Sequence, residues 1–217
     1  REKWLPEVTK TIKQKQGWDF YYYGNLPWRG MDAERGWYTF DHRPRFNNNY
    51  AGVRNRFGIL SEAYAYATFE ERVLATLTFV EEILAFAHSR ASTIRKIAEQ
   101  ADRRSIVGEA LALRAQLARS EQPVDILMGE VVEEKNPDSG EVLLRRTDSR
   151  RVEKMPEFGS FAPTLTTIAP KAYFVPPTQA GTIALLEAHG IRSEKLAVAQ
   201  KQAVERFRID SVQVGRR

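Results

Sequence analysis

Residues 46–66, FNNNYAGVRNRFGILSEAYAY, form the segment around which the predicted fold is organised. An asparagine-rich approach is followed by an Arg-Asn-Arg cluster and then by a short apolar run that ends near Glu62. We expect this run to be a buried strand. A carboxylate at the end of such a strand loses water, so its charged form is disfavoured and its basicity rises. Glu62 is therefore a candidate general base, and the alternative is a structural salt bridge to Arg54 or Arg56.

The same segment carries a family resemblance. The string from Tyr50 to Tyr66, together with residues 22–25 and 36–46, resembles the part of the bacterial carboxypeptidase A-like zinc metallocarboxypeptidases that holds the catalytic glutamate. The similarity extends over roughly residues 15–85. It implies an α/β fold, namely part of a mixed β-sheet domain with flanking helices, and it implies that Glu62 is the general base. It also favours a secreted or periplasmic location.

The resemblance further implies a cofactor that this chain does not bind alone. In that family a His-x-x-Glu pair and a distant histidine hold one zinc ion, which activates the water that the glutamate deprotonates. Those ligands lie upstream of the matching segment. The chain is then expected to be the carboxyl-terminal portion of a peptidase, with zinc held by the remainder of the parent polypeptide. The alternative is a metal-free relative without peptidase activity.

Four residues are candidate substrate-binding groups: Tyr50, Arg54, Asn55 and Arg56. The arginine guanidinium is a planar fork that matches the terminal carboxylate of a peptide. The two arginines are equally expected to pair with acids that brace the strand. Tyr50 is compared with the mobile tyrosine of the family, although its spacing to Glu62 is shorter than in the family.

Histidine and cysteine give no metal motif within the chain. None of His42, His88 and His189 is followed by a glutamate three residues later or a histidine four residues later. His42 is therefore expected to be structural. The absence of cysteine excludes disulfides and thiolate metal sites.

The amino-acid composition limits the classes of partner that this chain is expected to bind. The 217 residues are 28% charged and 42% hydrophobic, with a net charge of +5. The excess positive charge is slight and spread out, and the arginine pairs lack the interleaved aromatics of a nucleic-acid platform. We therefore expect a peptide or protein substrate, no nucleic acid and no membrane span. The competing hypothesis is a non-catalytic binding or scaffolding module that recognises a peptide or a glycan.

In the first half, the pattern predicts an amphipathic helix over residues 1–16 and a short aromatic strand over 18–23. A long loop follows, in which Trp28, Arg29 and Trp37 are candidates for a specificity pocket. Thr68 and Glu71 match a capping box at the start of an apolar-faced helix. A second helical region is expected over residues 92–119.

The expected domains are a carboxypeptidase-like portion at 1–105, a helical linker at 106–120 and a strand-rich accessory domain at 121–217. Residues 136–140, NPDSG, predict a hairpin turn between two strands. Other predicted elements are strands at 165–168, 172–175, 195–198 and 203–209 and a helix at 178–189.

Overall fold

The computed structural model describes residues 2–27, 30, 32–198, 200–206 and 208–212. It contains both helices and small sheets, so the class is mixed α/β. The chain divides into two compact units, residues 1–170 and residues 171–217. The helices are α1 (Trp4–Gln16), α2 (Asn47–Val53), α3 (Phe69–Ser89), α4 (Ala91–Arg103) and α5 (Ala180–Ala188). The strands are β1 (Trp37–Tyr38), β2 (Ala110–Ala118), β3 (Val124–Lys135), β4 (Val142–Met155), β5 (Glu157–Phe158) and β6 (Ser160–Ile168).

A small helical core forms where α1 packs on α3. Val8 and Ile12 occupy one face of α1 and are buried against Phe79 of α3. The ring of Phe20 stacks on Phe79 with centroids 5.3 Å apart. The predicted amphipathic helix is thus confirmed, and it ends at Gly17, whose positive φ of 72° suits a residue without a Cβ.

The predicted capping box is confirmed at the N-terminus of α3. The Thr68 hydroxyl accepts a hydrogen bond from the Glu71 N–H at 3.2 Å, and the Glu71 carboxylate accepts one from the Thr68 N–H at 2.8 Å. Two backbone donors that would otherwise lack partners at the helix start are therefore satisfied.

The helical linker predicted at 106–120 is wrong. Helix α4 ends at Arg103, and β2 follows after a turn at Gly108, where φ is 85°. The alanine, leucine, arginine and glutamine residues of this segment have high intrinsic helix propensity. Antiparallel pairing of β2 with β6 overrides that preference, and Gly108 donates its N–H to the Ala169 carbonyl at 2.9 Å.

The hairpin predicted around residues 136–140 is confirmed. Strands β3 and β4 pair antiparallel, and the Asn136 N–H donates to the Glu141 carbonyl at 2.8 Å across the turn. Gly140 has a φ of 72°, which the turn requires. The third sheet is the short parallel pair of β1 and β5. In the part of the chain that the structure describes, each sheet is two strands wide.

Two strand predictions in the first unit, and the predicted domain boundary, differ from the structure. Residues 18–23 and 57–62 are not strands, because no neighbouring strand pairs with them. The chain divides after Pro170 and not near residue 121, since β2 and β6 share a sheet across that expected boundary.

The second unit contains fewer strands than expected. Helix α5 confirms the helix predicted at 178–189. Residues 172–175 and 195–198 form no strand, and the same holds for 203–209 except Phe207, which lies outside the described residues. Prolines 170, 176 and 177 lack an N–H for a ladder, which disfavours the first of these strands.

Much apolar surface is left uncovered. On α3, the side chains of Val73, Leu77, Val80 and Leu84 are between 43% and 63% exposed. Within the described residues, no helix combines the length and the apolar character needed to cross a bilayer.

Candidate functional site

The candidate site begins at the carboxyl-terminal end of α2, where the chain reverses through the Arg-Asn-Arg cluster. Asn55 has a φ of 57°, a left-handed conformation that asparagine tolerates better than most residues. Its N–H donates to the Gly52 carbonyl at 3.0 Å, and the Arg56 N–H donates to the Ala51 carbonyl at 2.8 Å. This pair of bonds is a Schellman motif, which fixes the direction in which the chain leaves the helix.

Helix α2 itself is a departure from the predicted asparagine-rich loop. Asparagine is a poor helix former, so the three asparagines favour a loop when considered alone. The Asn49 amide, however, donates to the carbonyls of Asp41 at 2.6 Å and Arg43 at 3.1 Å. These tertiary bonds hold the first turn of α2 in place.

Asp102 of α4 gathers the polar side chains of the turn. Its Oδ1 accepts hydrogen bonds from Nη1 of Arg56 at 3.0 Å and from Nδ2 of Asn55 at 3.2 Å. The bond from Arg56, followed by that from Asn55, lowers the pKa of the Asp102 carboxyl, and the positive charge of Arg54 acts in the same direction. Arg56 is therefore paired with an acid, which is the bracing role considered for it.

Arg54 is placed differently. Its side chain is exposed, and within the described residues its guanidinium has no hydrogen bond or ion pair. The structure thus separates the two arginines, since Arg56 is hydrogen-bonded to Asp102 whereas Arg54 acts on Asp102 through its charge alone.

Residues 57–66, called here the Glu62 arm, follow this turn without regular secondary structure until a second turn at residues 65–66. The Phe57 ring stacks on Trp4 of α1 with centroids 5.3 Å apart. Gly58 lies against α2, and a Cβ at this position would come within 2.7 Å of the Asn48 carbonyl oxygen. Only glycine permits this approach, so the start of the arm is fixed against two helices.

Glu62 lies on the outside of the arm. The expectation that it ends a buried strand is wrong: the residue is exposed, and in the described part of the chain its carboxylate has no hydrogen bond or ion pair. The salt bridge to Arg54 or Arg56 is likewise not formed among these residues. The apolar neighbours Ile59 and Leu60 are about half exposed, because no sheet covers the arm.

The remaining predicted site residues are dispersed. Tyr50 lies within α2 and is half-buried. His42 packs on the Phe161 ring of β6, with Nδ1 3.8 Å from Oδ1 of Asp41, so it joins the loop to the sheet. Trp28 and Arg29 lie outside the described residues.

The described histidine and carboxylate side chains do not gather into a metal site. No cluster of three or more histidine, aspartate or glutamate side chains that would hold a metal ion occurs in residues 2–27, 30, 32–198, 200–206 and 208–212. The described donors therefore do not fit a zinc ion.

Comparison with family models, with curated proteins and with solved structures gives no match in any of the three. The resemblance to the metallocarboxypeptidases consequently stays a prediction.

Sequence reasoning missed Asp102, which organises the turn. No local pattern marks it, because 46 residues separate it from Arg56. The Schellman motif, in contrast, could have been predicted from the sequence. Residues 51–56, AGVRNR, place an asparagine just after the end of α2, and asparagine at that position is a common helix-stop signal.

Proposed function

We propose that this chain is the part of a zinc-dependent metallocarboxypeptidase that supplies the general base, Glu62. In this proposal the zinc ligands belong to the parent polypeptide outside the described residues, and no step is assigned to a metal held by the residues described. Glu62 accepts a proton from the attacking water and passes it to the leaving amine. The substrate is a peptide or protein that is cleaved at its carboxyl-terminal residue.

The observation that carries the proposal is the uncommitted carboxylate of Glu62 in an apolar segment. It is the only acid in residues 57–66, and no structural interaction of the described residues uses it. Its apolar neighbours are half exposed, as is the outer face of α3. Exposed apolar area of this extent marks a surface that another polypeptide segment covers. Such a cover would exclude water from Glu62 and from the reaction it is proposed to assist.

The arrangement of the arginines supports a carboxylate-binding role for Arg54. Arg56 and Asn55 are held by Asp102, so they fix the turn. Arg54 lies on the same fixed turn and, among the described residues, its guanidinium forms no ion pair, although its charge acts on Asp102. An arginine fork on a rigid turn is well suited to grip the terminal carboxylate of a peptide.

The test uses the longer natural polypeptide that contains this chain, with metal content and carboxyl-terminal release measured on the same samples. We expect about one zinc ion per chain. Glu62→Gln should lower kcat by about 10²- to 10⁴-fold, because it removes a general base, while zinc is retained. The matched control is Glu70→Gln, which neutralises another exposed glutamate at the start of α3 and should leave kcat unchanged.

The opposite results identify the competing function. Full activity in Glu62→Gln would contradict the role of this residue. A polypeptide with no zinc and no hydrolysis, but with intact binding of peptides or glycans, would instead establish the non-catalytic module.

A further inference from the structure

The end of the Glu62 arm is tied to the β3–β4 hairpin through a single carboxylate. Oε2 of Glu71 accepts hydrogen bonds from the N–H and the hydroxyl of Thr68, at 2.8 and 3.1 Å, directly after the arm ends. Oε1 of Glu71 accepts a hydrogen bond from Nη2 of Arg146 at 3.1 Å. Glu71 therefore links the cap of α3 to a residue of β4.

An irregularity in the hairpin accompanies this contact. Gly129 pairs with Arg150 and Val131 pairs with Arg146, so β4 has three residues where β3 has one. Bulges of this kind increase the local twist and re-aim the neighbouring side chains. Arg146, at the edge of the bulge, accordingly reaches α3.

The four arginines of β4 differ in how firmly they are held. The side chain of Arg146 is 32% exposed, whereas Arg145, Arg150 and Arg151 are 60%, 67% and 69% exposed. Arg145 pairs within the hairpin, with its Nε 2.6 Å from Oε1 of Glu134. Arg146 thus makes a contact between elements, and its neighbour provides a natural comparison.

The arm itself also meets the hairpin. The Tyr64 hydroxyl lies over Gly129 of β3, at 3.7 Å from the position that a Cβ would occupy there. The Tyr64 ring packs edge to face on Tyr66, with centroids 5.5 Å apart. Partial burial, and then the neighbouring Tyr66, raise the pKa of the Tyr64 phenol, and the charge of Arg146 acts against that rise. Tyr64 follows Glu62 by two residues.

We propose that Arg146 is a positioning residue, which, with the β3–β4 hairpin, fixes the carboxyl-terminal end of the Glu62 arm and thereby sets where the Glu62 carboxylate is presented. The other end of the arm is fixed by Trp4 and by the turn held on Asp102. The β3–β4 hairpin then belongs to the machinery of the site. The catalytic consequence of this inference rests on the proposed function of Glu62. The way in which the arm is held does not depend on that function.

The first experiment measures arm mobility in the 217-residue chain. Because the chain has no cysteine, Ser61→Cys gives a unique site for a nitroxide label one residue before Glu62. Arg146→Ala should shorten the rotational correlation time of the label about twofold, since one anchor of the arm is lost. Arg146→Lys, which retains the charge, should restore most of the immobilisation. The matched control Arg145→Ala removes an ion pair inside the hairpin and should leave the spectrum unchanged.

A second variant separates the contact from the folding of the hairpin. Glu71→Gln retains a side chain that completes the capping box but weakens the ion pair with Arg146, so it should mobilise the label as Arg146→Ala does. If Arg146→Ala and Glu71→Gln leave the label as immobile as Arg145→Ala does, the positioning role is overturned.

The activity of the longer natural polypeptide provides the second readout. A positional error in a base lowers kcat, so Arg146→Ala should reduce kcat about tenfold with an unchanged KM, and Arg145→Ala should change neither. If that polypeptide shows no hydrolysis at all, the proposed function fails, while the label mobility still decides whether Arg146 fixes the arm. Full activity in Arg146→Ala together with a mobile label would overturn the link between arm position and catalysis.

Discussion

The ring of Trp4 stacks on the ring of Phe57 with centroids 5.3 Å apart and an interplanar angle of 26°. Trp4 lies in the first turn of α1, and Phe57 is the first residue of the Glu62 arm. Since no ladder holds the arm, this aromatic contact joins it to the helical core. A coupling energy of about 0.5–1.5 kcal/mol is expected between Trp4→Leu and Phe57→Leu in a double-mutant cycle measured by urea unfolding.

The control cycle combines Trp4→Leu with Phe40→Leu, because the Phe40 ring packs on Phe46. That pair should be additive. Equal coupling energies in the two cycles would show that the stacking of Trp4 on Phe57 does not hold the arm.

Asp41, in the loop before α2, is expected to make the stability of the fold depend on pH. Its carboxylate accepts hydrogen bonds from Nε of Arg43 at 2.7 Å and from the Arg43 N–H at 2.9 Å. The side-chain bond from Arg43 is the main cause that lowers the pKa of Asp41 to about 2. A lowered folded-state pKa stabilises the fold above the unfolded pKa, and this stabilisation is lost as the pH falls through the folded value.

Asp41→Asn should therefore lower the free energy of unfolding by roughly 1–2 kcal/mol at pH 7, after allowance for solvent screening. The difference from the wild type should shrink between about pH 4 and pH 2. Urea titrations of both proteins at a series of pH values measure it. A difference that stays constant over this window would contradict the assigned role of Asp41.

Thr68 is expected to stabilise α3 through its capping bond. Thr68→Ala removes the acceptor for the Glu71 N–H and should destabilise the protein by about 1 kcal/mol, as measured by thermal unfolding. Thr68→Ser keeps a hydroxyl and should lose much less. Similar losses in both variants would indicate that the methyl group, and not the hydroxyl, matters at this position.

Phe79 carries the small core between α1 and α3. It is 6% exposed and contacts both Phe20 and the buried residues of α1. Phe79→Ala should cost about 3–5 kcal/mol, because it opens a cavity in a core with few members. Val80→Ala changes the next residue, which is 43% exposed, and should cost far less. Circular dichroism during urea unfolding distinguishes the two variants.

Local patterns predicted the helices well wherever their signals were complete. Helix α1 has apolar residues at helical spacing and a glycine at its end, and α3 has a capping box, so neither depends on distant contacts for its position. The hairpin of β3 and β4 was predicted equally well. Its turn ends in Gly140, and glycine readily adopts the positive φ that the turn needs.

The errors arose where distant residues decide the structure. Strand β2 is composed of good helix formers, and only its pairing with β6 makes it extended. The arm around Glu62 has the composition of a strand, but no strand pairs with it, so it forms no regular secondary structure and its apolar side chains stay exposed. The contact of Arg56 with Asp102 spans 46 residues and leaves no local pattern.

Strands β3 and β4 form a ladder with two outer edges, and such edges recruit other strands when nothing protects them. Along β4, residues 145–154 read RRTDSRRVEK, a run in which seven of ten residues are charged. A second copy of β4 that paired with this edge in parallel register would place arginine opposite arginine, which disfavours intermolecular pairing. The positive excess of β4, five basic against two acidic side chains, therefore disfavours pairing with a second copy of the same strand.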